Sequence, residues 1–465
     1  MAREKNGKGK KNGKGTVSDR DVDVHLAPTV QMLHEHITEA MCSEVFGKFR
    51  TNERQRKWSL FALARFWLAV ILEPPPSLSQ LLERVRRIDP RGFLPAVEAS
   101  AEAFFQKCKT FSSSIFRGMY CRFIDDVLPK APGDYCREYS HLKKKFTTVV
   151  VIDGSRLDKI AHRLKILWSE KAVVLPGCLL AVYDLFQGVA SQLWFNADAA
   201  APEFARALVA LEHLERGTLV LGDRLYCNNA FFRKLTEHQC FGLLRRNKRL
   251  SLKKIRRISR STAGGILREE WLVTAGASNP IELRLIRLKK GRSTYEALTN
   301  VMDRKRLTAK DAVGLYSLRW RVERLFYDLK VVLNLKRFYA ANPNAVAMQV
   351  YSAAIVHTAF RIAQADIARQ VNLPPEELSP QKLFPFLSVA SIKLIEAEYI
   401  FEETCKANRG VKLRKPSWRK LPDTVVSLRH IRVQRRSSKR KKRKFDPARG
   451  KWTSFAKIKG SENLS

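Results

Sequence analysis

The pattern of apolar and polar positions changes twice along the chain, dividing it into helical and strand-rich parts. Residues 28–145 repeat apolar positions at helical spacing, as in QMLHEHITEAMCSEVF, which predicts an all-helical N-terminal domain. From residue 146 the pattern becomes short apolar runs, among them FTTVVVID and TLVLGD, which are typical of strands buried on both faces. Residues 341–412 return to helical spacing and predict a helical C-terminal region.

The order of predicted elements in residues 146–340 indicates one α/β domain. Three strands come first, the second and third joined by a turn at Gln187-Gly188. Helix, strand, helix and strand follow, then a β-rich insertion at about 245–290 and a further helix. This order predicts a mixed sheet with helices on its faces, and it resembles the ribonuclease H-like fold.

Charge narrows the expected partner to a polyanion. The 465 residues include 86 Lys and Arg against 45 Asp and Glu, a formal charge of +41, which favours nucleic acid first and an anionic membrane surface second. The best apolar run, Trp58–Leu72, is too short to span a bilayer and contains Arg65, so no membrane segment is expected. Eight scattered cysteines, without zinc-site spacing, indicate a reduced cytoplasmic protein.

Both ends of the chain are basic. Residues 1–27 and 413–465 are expected to be disordered from their composition. The run Arg435–Lys444 either binds phosphates without reading sequence or serves as a solubilising tail.

Two acidic residues directly follow buried strands. Asp153 ends FTTVVVID and Asp223 ends TLVLGD. Either one alone is adequately explained as a strand-to-loop cap, in which the side chain accepts hydrogen bonds from nearby backbone amides. Together they place two carboxylates at the ends of buried strands, where a cation is needed to offset the free-energy cost of burying their charge.

A third acid lies on the helix predicted after the insertion, in YSLRWRVERLFYDLK. At about 100° per residue, Tyr316, Arg319, Glu323 and Lys330 fall on one stripe roughly 60° wide, beside the apolar face. A solvated helix face with an ordinary Glu-Lys pair is the simpler interpretation of this helix alone. Taken with Asp153 and Asp223, it suggests three converging carboxylates, whose repulsion divalent cations would relieve.

These residues resemble the acidic triad of the DDE transposases, and Tyr316-x2-Arg319-x3-Glu323-x6-Lys330 is similar to the Tyr-Arg-Glu-Lys pattern of the bacterial insertion-sequence-four family. The resemblance implies that Asp153, Asp223 and Glu323 hold two magnesium ions, or manganese in their place. It implies that Tyr316, Arg319 and Lys330 contact DNA phosphates, where guanidinium and ammonium groups both serve. It also implies a homodimer on double-stranded transposon and target DNA, in the nucleoid of a prokaryotic cytoplasm.

Further DNA contacts are predicted around the insertion. Tyr295 stands where the family places an aromatic residue that stacks on a flipped base, although an ordinary sheet-packing role is equally consistent with its position. The segment RRNKRLSLKKIRRISR has nine Lys or Arg in sixteen residues and is either a phosphate-contacting surface or a solvated loop. The candidate phosphate-binding residues here are Arg224, Arg245, Arg246, Lys248 and Arg249.

The sequence thus predicts a transposase that cleaves and joins DNA strands by metal-dependent phosphoryl transfer. Two alternatives remain. A nuclease or junction resolvase of the same fold would share the acids but release its products without strand joining. A non-catalytic DNA-binding derivative would keep the basic surfaces but lose an acid, whereas all three acids are present.

Overall fold

The computed structural model describes residues 22–87, 92–157, 177–276, 279–340, 342–408, 413–414, 416–418 and 421–433. The strands in these residues are β1 (Asp23–His25), β2 (Val149–Arg156), β3 (Cys178–Asp184), β4 (Val189–Asn196), β5 (Leu219–Gly222), β6 (Phe241–Arg245), β7 (Leu252–Ala263), β8 (Ile266–Ala275), β9 (Ile281–Lys290), β10 (Ser293–Thr299) and β11 (Val425–Ser427). The helices are α1 (Ala27–Val30), α2 (Met32–His36), α3 (Glu39–Phe49), α4 (Leu60–Leu72), α5 (Leu78–Arg86), α6 (Ala101–Thr110), α7 (Ser113–Val127), α8 (Glu203–Leu211), α9 (Asn229–Glu237), α10 (Ala309–Ser317), α11 (Arg321–Tyr327), α12 (Pro343–Gln370), α13 (Pro380–Ala407) and α14 (Leu428–Ile431).

Strands β2–β10 form one mixed sheet in the order β4-β3-β2-β5-β6-β10-β9-β8-β7. Strand β2 pairs in parallel with β5, and β5 pairs in parallel with β6, whereas the remaining neighbours are antiparallel. The prediction of a mixed α/β protein with a large sheet and helices is confirmed at this level.

Helices cover both faces of the β2 region, which explains its uninterrupted apolar sequence. Val149 and Val151 join a core formed with the N-terminal helices and α12. Val150 and Ile152 point to the other face and pack with residues of α8 and α9 such as Leu211. Because successive side chains of a strand alternate between faces, a strand covered on both sides must be apolar throughout.

The predicted β-rich insertion is not a separate layer. Strands β7, β8 and β9 are consecutive antiparallel neighbours, and β10 joins them to β6. The insertion therefore extends the central sheet, with β7 as its outer strand among the described residues.

The N-terminal part consists mainly of helices, and four of its described helices begin at serine caps. Ser59, Ser77, Ser100 and Ser112 precede α4, α5, α6 and α7, and each side chain accepts a hydrogen bond from a backbone N–H of the first turn. Packing does not stop at the boundaries predicted at 145/146 and 340/341. Helix α12 is buried along almost its whole length and shares one core with α4, α7 and the sheet.

The predicted limits of the two disordered tails are wrong. Strand β1 pairs antiparallel with β11, and α14 follows directly, so parts of 1–27 and 413–465 are folded. Val24, Val426, Leu428 and Ile431 are buried, and this apolar contact explains the pairing. Residues 1–21 and the run Arg435–Lys444 lie outside the described residues. No helix in the described part of the chain is long and apolar enough to cross a membrane.

Candidate active site

Asp153 and Asp223 come to the same edge of the sheet because their strands are parallel neighbours. Val151 of β2 is paired with Leu221 of β5, and each aspartate lies two residues further along its strand direction. Their separation is short enough for the charge of Asp223 to contribute to the raised pKa of Asp153. The structure thus brings together the two acids that the strand pattern singled out.

Asp153 is largely buried and its charge is costly. Its Oδ1 accepts a hydrogen bond from the Gly154 backbone N–H at 3.0 Å, and its Oδ2 accepts one from Arg319 Nη1 at 3.3 Å. Burial raises the pKa of Asp153 from its ordinary value of 3.8 to about 7; Arg319 opposes the rise, whereas Glu203 and Asp223 add to it. A carboxyl group in this position is one that an added cation would stabilise in its charged form.

The stripe predicted on a single regular helix lies on four consecutive segments. Helix α10 is followed by a 3₁₀ turn at Leu318–Trp320, then by α11, then by a π turn at Asp328–Val332. The expectation of one uniform helix is therefore wrong. No Gly or Pro marks these changes in YSLRWRVERLFYDLK.

The stripe nevertheless faces strand β2. Arg319 Nη2 lies 3.8 Å from Glu323 Oε1, and the same guanidinium contacts Asp153, so it links the first and third acids. Lys330 Nζ donates a hydrogen bond to Ser155 Oγ at 2.7 Å. Two side chains of the stripe, Arg319 and Lys330, therefore contact residues of β2.

Tyr316 and Tyr295 pack against each other beside these acids. Their ring centroids are 5.4 Å apart, and the Tyr295 hydroxyl is buried without a hydrogen-bond partner among the described residues. Burial raises the pKa of Tyr316 to about 12 and that of Tyr295 well above its ordinary range. Base stacking by Tyr295 stays a prediction, and the geometry resembles a packing role more closely. Trp320, which sequence reasoning passed over, is the more accessible aromatic here, with 47% of its surface exposed.

The predicted phosphate-binding residues separate into two groups. Arg224, Lys248 and Arg249 are exposed on loops that follow β5 and β6. Arg246 instead forms an ion pair with Glu296 of β10 at 2.6 Å, and Arg245 is partly buried at the end of β6. The first group is available for phosphate contacts, whereas Arg246 already has an internal partner.

Glu203 is a fourth acid at the site that sequence reasoning missed. It lies in the first turn of α8, accepts a hydrogen bond from the Tyr226 hydroxyl and lies against Gly154. A side chain at Gly154 would meet the Glu203 carboxylate, so a larger residue at this position would require Glu203 to move. An acid at a helix N-terminus is ordinary in sequence, and only the tertiary contact distinguishes it.

The donor set suits a hard divalent cation, although a positively charged side chain lies among the acids. Carboxylate oxygens are the ligands that magnesium and manganese prefer, and the pKa of Asp153, raised mainly by burial and further by Glu203 and Asp223, shows that its charged form is poorly stabilised in the free protein. Within the described residues, no three His, Cys, Asp or Glu side chains are grouped closely enough to hold an ion. Arg319 contacts both Asp153 and Glu323, and its guanidinium provides a positive charge between these two carboxylates.

Known proteins match the same part of the chain. Residues 147–359 match the family model described as the transposase DDE domain. A Sinorhizobium fredii protein whose name describes it as a transposase, y4zB, is 32% identical over 158 residues, which cover 32% of this chain and 44% of that protein. A Synechocystis protein, named as a transposase for insertion sequence element IS4SA, is 26% identical over 157 residues, covering 32% of this chain and 41% of that protein.

The chain thus spans less than half the length of these curated relatives. A solved piggyBac transposase synaptic complex with hairpin DNA aligns over 86% of this chain and 87% of its own, with 8% identity and a TM-score of 0.37. The stretch that carries Asp153, Asp223 and Glu323 is the stretch that is similar to the DDE domain of transposases.

Proposed function

We propose that this protein is a transposase that cleaves and joins DNA strands by metal-dependent phosphoryl transfer. The observation that supports the proposal is the arrangement of three separately predicted acids inside the matched region. Asp153 and Asp223 share one sheet edge, and Arg319 links Asp153 to Glu323. A DDE transposase of the insertion-sequence-four family with a ribonuclease H-like domain is the finer assignment we favour.

Asp153, Asp223 and Glu323 would hold two magnesium ions, with manganese able to replace them. When bound, such ions supply an activated water or hydroxyl nucleophile and neutralise the leaving oxygen. The chain's own contribution is to hold the carboxylates on a rigid sheet edge and one helical segment. Fixing the donors in advance avoids ordering them during the reaction.

The side chains around the acids are suited to the DNA backbone. Lys330, at the end of the stripe, offers an ammonium group, and Arg319 a guanidinium, on the segment that carries Glu323. Such groups bind phosphate strongly, the guanidinium in bidentate fashion. Arg224, Lys248 and Arg249 would extend this contact along the duplex, consistent with the formal charge of +41.

Joining two transposon ends to one target implies a homodimer on double-stranded DNA, working in the nucleoid of a prokaryotic cell. The dimer and the location belong to the proposal. They follow from the chemistry of the reaction and from the family that the chain resembles.

Strand transfer tests this function against its alternatives. The full chain is incubated with magnesium, a target plasmid and the DNA that flanks its reading frame. We expect nicking followed by joined products, and we expect Asp153→Ala, Asp223→Ala and Glu323→Ala each to reduce both by roughly 10³-fold or more. Gel-shift affinity should be retained in all three.

Cleavage without joined products would instead indicate a nuclease or resolvase. Binding without cleavage by the unaltered chain would indicate a non-catalytic DNA-binding protein. Near-normal nicking by one alanine variant would remove that residue from the site.

A further inference from the structure

Arg319 occupies a position that conflicts with its expected role as a DNA clamp. Its guanidinium lies 3.3 Å from Asp153 Oδ2 and 3.8 Å from Glu323 Oε1, and the residue is only 8% exposed. Both contacts are to acids assigned to the metal site. A side chain held this way faces the protein and not a phosphate on its surface.

The contact has a simple electrostatic cause. Asp153 lies in a buried environment with Asp223 and Glu203 nearby, so the free protein has several carboxylates close together. A planar guanidinium can contact two carboxylates at once, which offsets part of their repulsion. Arg319 thereby supplies in the free protein the positive charge that ions would supply in the loaded one.

We propose that Arg319 competes with metal ions for Asp153 and Glu323, closing the acid site in the free protein and becoming a phosphate-binding group when ions enter. This inference rests on the function proposed above. A divalent ion bound through the same carboxylate oxygens would repel the guanidinium and take its contacts, so both cannot hold the two acids together.

The surroundings of Arg319 favour its release. Its Nε has no hydrogen-bond partner among the described residues, so the guanidinium is incompletely satisfied where it lies. The guanidinium also lies 4.5 Å from the ring centre of Trp320, whose surface is 47% exposed. The Trp320 ring offers a cation–π surface along which the side chain can move outward without losing all its contacts.

Competition of this kind couples metal binding to DNA binding. Ions that displace Arg319 make one more cation available to the DNA backbone. By thermodynamic reciprocity, DNA that holds the released guanidinium strengthens metal binding by the same factor. The site would therefore be fully loaded only when DNA is present.

Manganese binding by the full chain, without DNA, tests the inference. Free Mn²⁺ is measured by electron paramagnetic resonance during titration of the unaltered protein and of Arg319→Gln. We expect the variant to bind Mn²⁺ roughly tenfold more tightly. Arg319→Lys, which keeps the charge but loses the planar fork, should fall between the two.

Lys310→Gln is the matched control, because it removes one positive charge from an exposed position on neighbouring helix α10. It should leave Mn²⁺ affinity unchanged. A second readout is gel-shift affinity for a DNA duplex: Mn²⁺ should strengthen DNA binding in the unaltered protein, and less so in Arg319→Gln.

Equal or weaker Mn²⁺ binding by a folded Arg319→Gln would overturn the inference, as would the same gain from Lys310→Gln. Asp153→Asn separates this failure from that of the proposed function. If Asp153→Asn loses Mn²⁺ binding while Arg319→Gln gains nothing, only the competition is wrong. If Asp153→Asn binds Mn²⁺ normally, or no variant binds it, the proposed metal site fails as well.

Discussion

The buried carboxyl group of Asp153 should make the stability of the protein depend on pH. Its raised pKa means that the folded protein binds this proton more tightly than the unfolded chain does. Stability contributed by the protonated group is therefore complete below about pH 4 and is lost as pH rises through about 7. Without metal, the ionised Asp153 should destabilise the protein at pH 8.

Asp153→Asn should remove this penalty. In buffer with a chelator, the free energy of unfolding of the variant relative to the unaltered protein should increase between pH 4.5 and pH 8, by about 1–3 kcal/mol. Denaturant unfolding at the two pH values measures this difference and cancels other titrating groups. A difference that stays constant with pH would show that Asp153 titrates normally.

Variants of Tyr295 can distinguish a packing role of this residue from a base-stacking role. Because its hydroxyl is buried without a partner, Tyr295→Phe should keep both cleavage steps and leave stability unchanged or raise it by up to about 1 kcal/mol. Tyr295→Ala should lower stability by about 3–5 kcal/mol and slow both steps together. Thermal unfolding of each variant and time courses of first- and second-strand cleavage distinguish the two roles. Loss of second-strand cleavage alone, with normal melting, would support base stacking.

Individual site residues can be predicted from the sequence when their neighbours in the chain distinguish them. Contacts with residues distant in the sequence cannot be predicted in this way. Asp153 and Asp223 could be selected because each ends an apolar strand. Glu203 could not, because its distinguishing contact is with Gly154, far away in the sequence. Arg246 was predicted to bind DNA, yet its partner Glu296 comes from another strand.

The segment that carries Glu323 and Lys330 is the element on which the site depends most. Its π turn begins at Asp328, which is 1% exposed, lies 2.9 Å from Arg324 Nε and is 3.9 Å from His357 Nε2. This buried acid anchors the turn to Arg324 of α11 and lies beside His357 of α12. The anchor and Lys330, the proposed phosphate-binding residue, are thus parts of one turn.

Asp328→Ala should destabilise the protein by about 3 kcal/mol, because it removes a buried acid whose charge offsets that of the buried Arg361 guanidinium. Glu83→Ala is the matched control, since Glu83 pairs with Arg87 on an exposed face, and it should change stability by less than about 0.5 kcal/mol. Urea unfolding of both variants measures these changes. Equal effects would show that Asp328 is not an anchor.

Periodicity predicts elements well and their interruptions poorly. The strands and helices of the sheet region appear where apolar runs and helical spacing place them. The 3₁₀ and π turns were missed because the sequence there contains neither Gly nor Pro. Strands β1 and β11 were missed because each has three residues and is stabilised by the other, hundreds of positions away.

The net positive charge of the whole chain is larger than the basic residues near the candidate active site account for. Residues 435–465 contain twelve Lys or Arg against two acids. Deleting them should weaken binding to all DNA sequences about equally and flatten its dependence on salt, because each lost phosphate contact reduces the slope of log K against log[salt] by about 0.9. Binding isotherms at several salt concentrations measure this. Lost preference for the element's ends, with an unchanged slope, would make the tail a specificity element.

The central claim is that the acids hold the metal, and the metal preference of Asp223→Cys tests it most directly. Asp223 and Asp303 both accept a hydrogen bond from the backbone N–H two residues later, so Asp303→Cys is a matched control away from the sheet edge. A thiolate is a poor ligand for magnesium and a better one for manganese. We therefore expect Asp223→Cys to nick DNA with Mn²⁺ but not with Mg²⁺, and Asp303→Cys to work with both. Normal Mg²⁺-dependent nicking by Asp223→Cys would contradict metal binding at this residue.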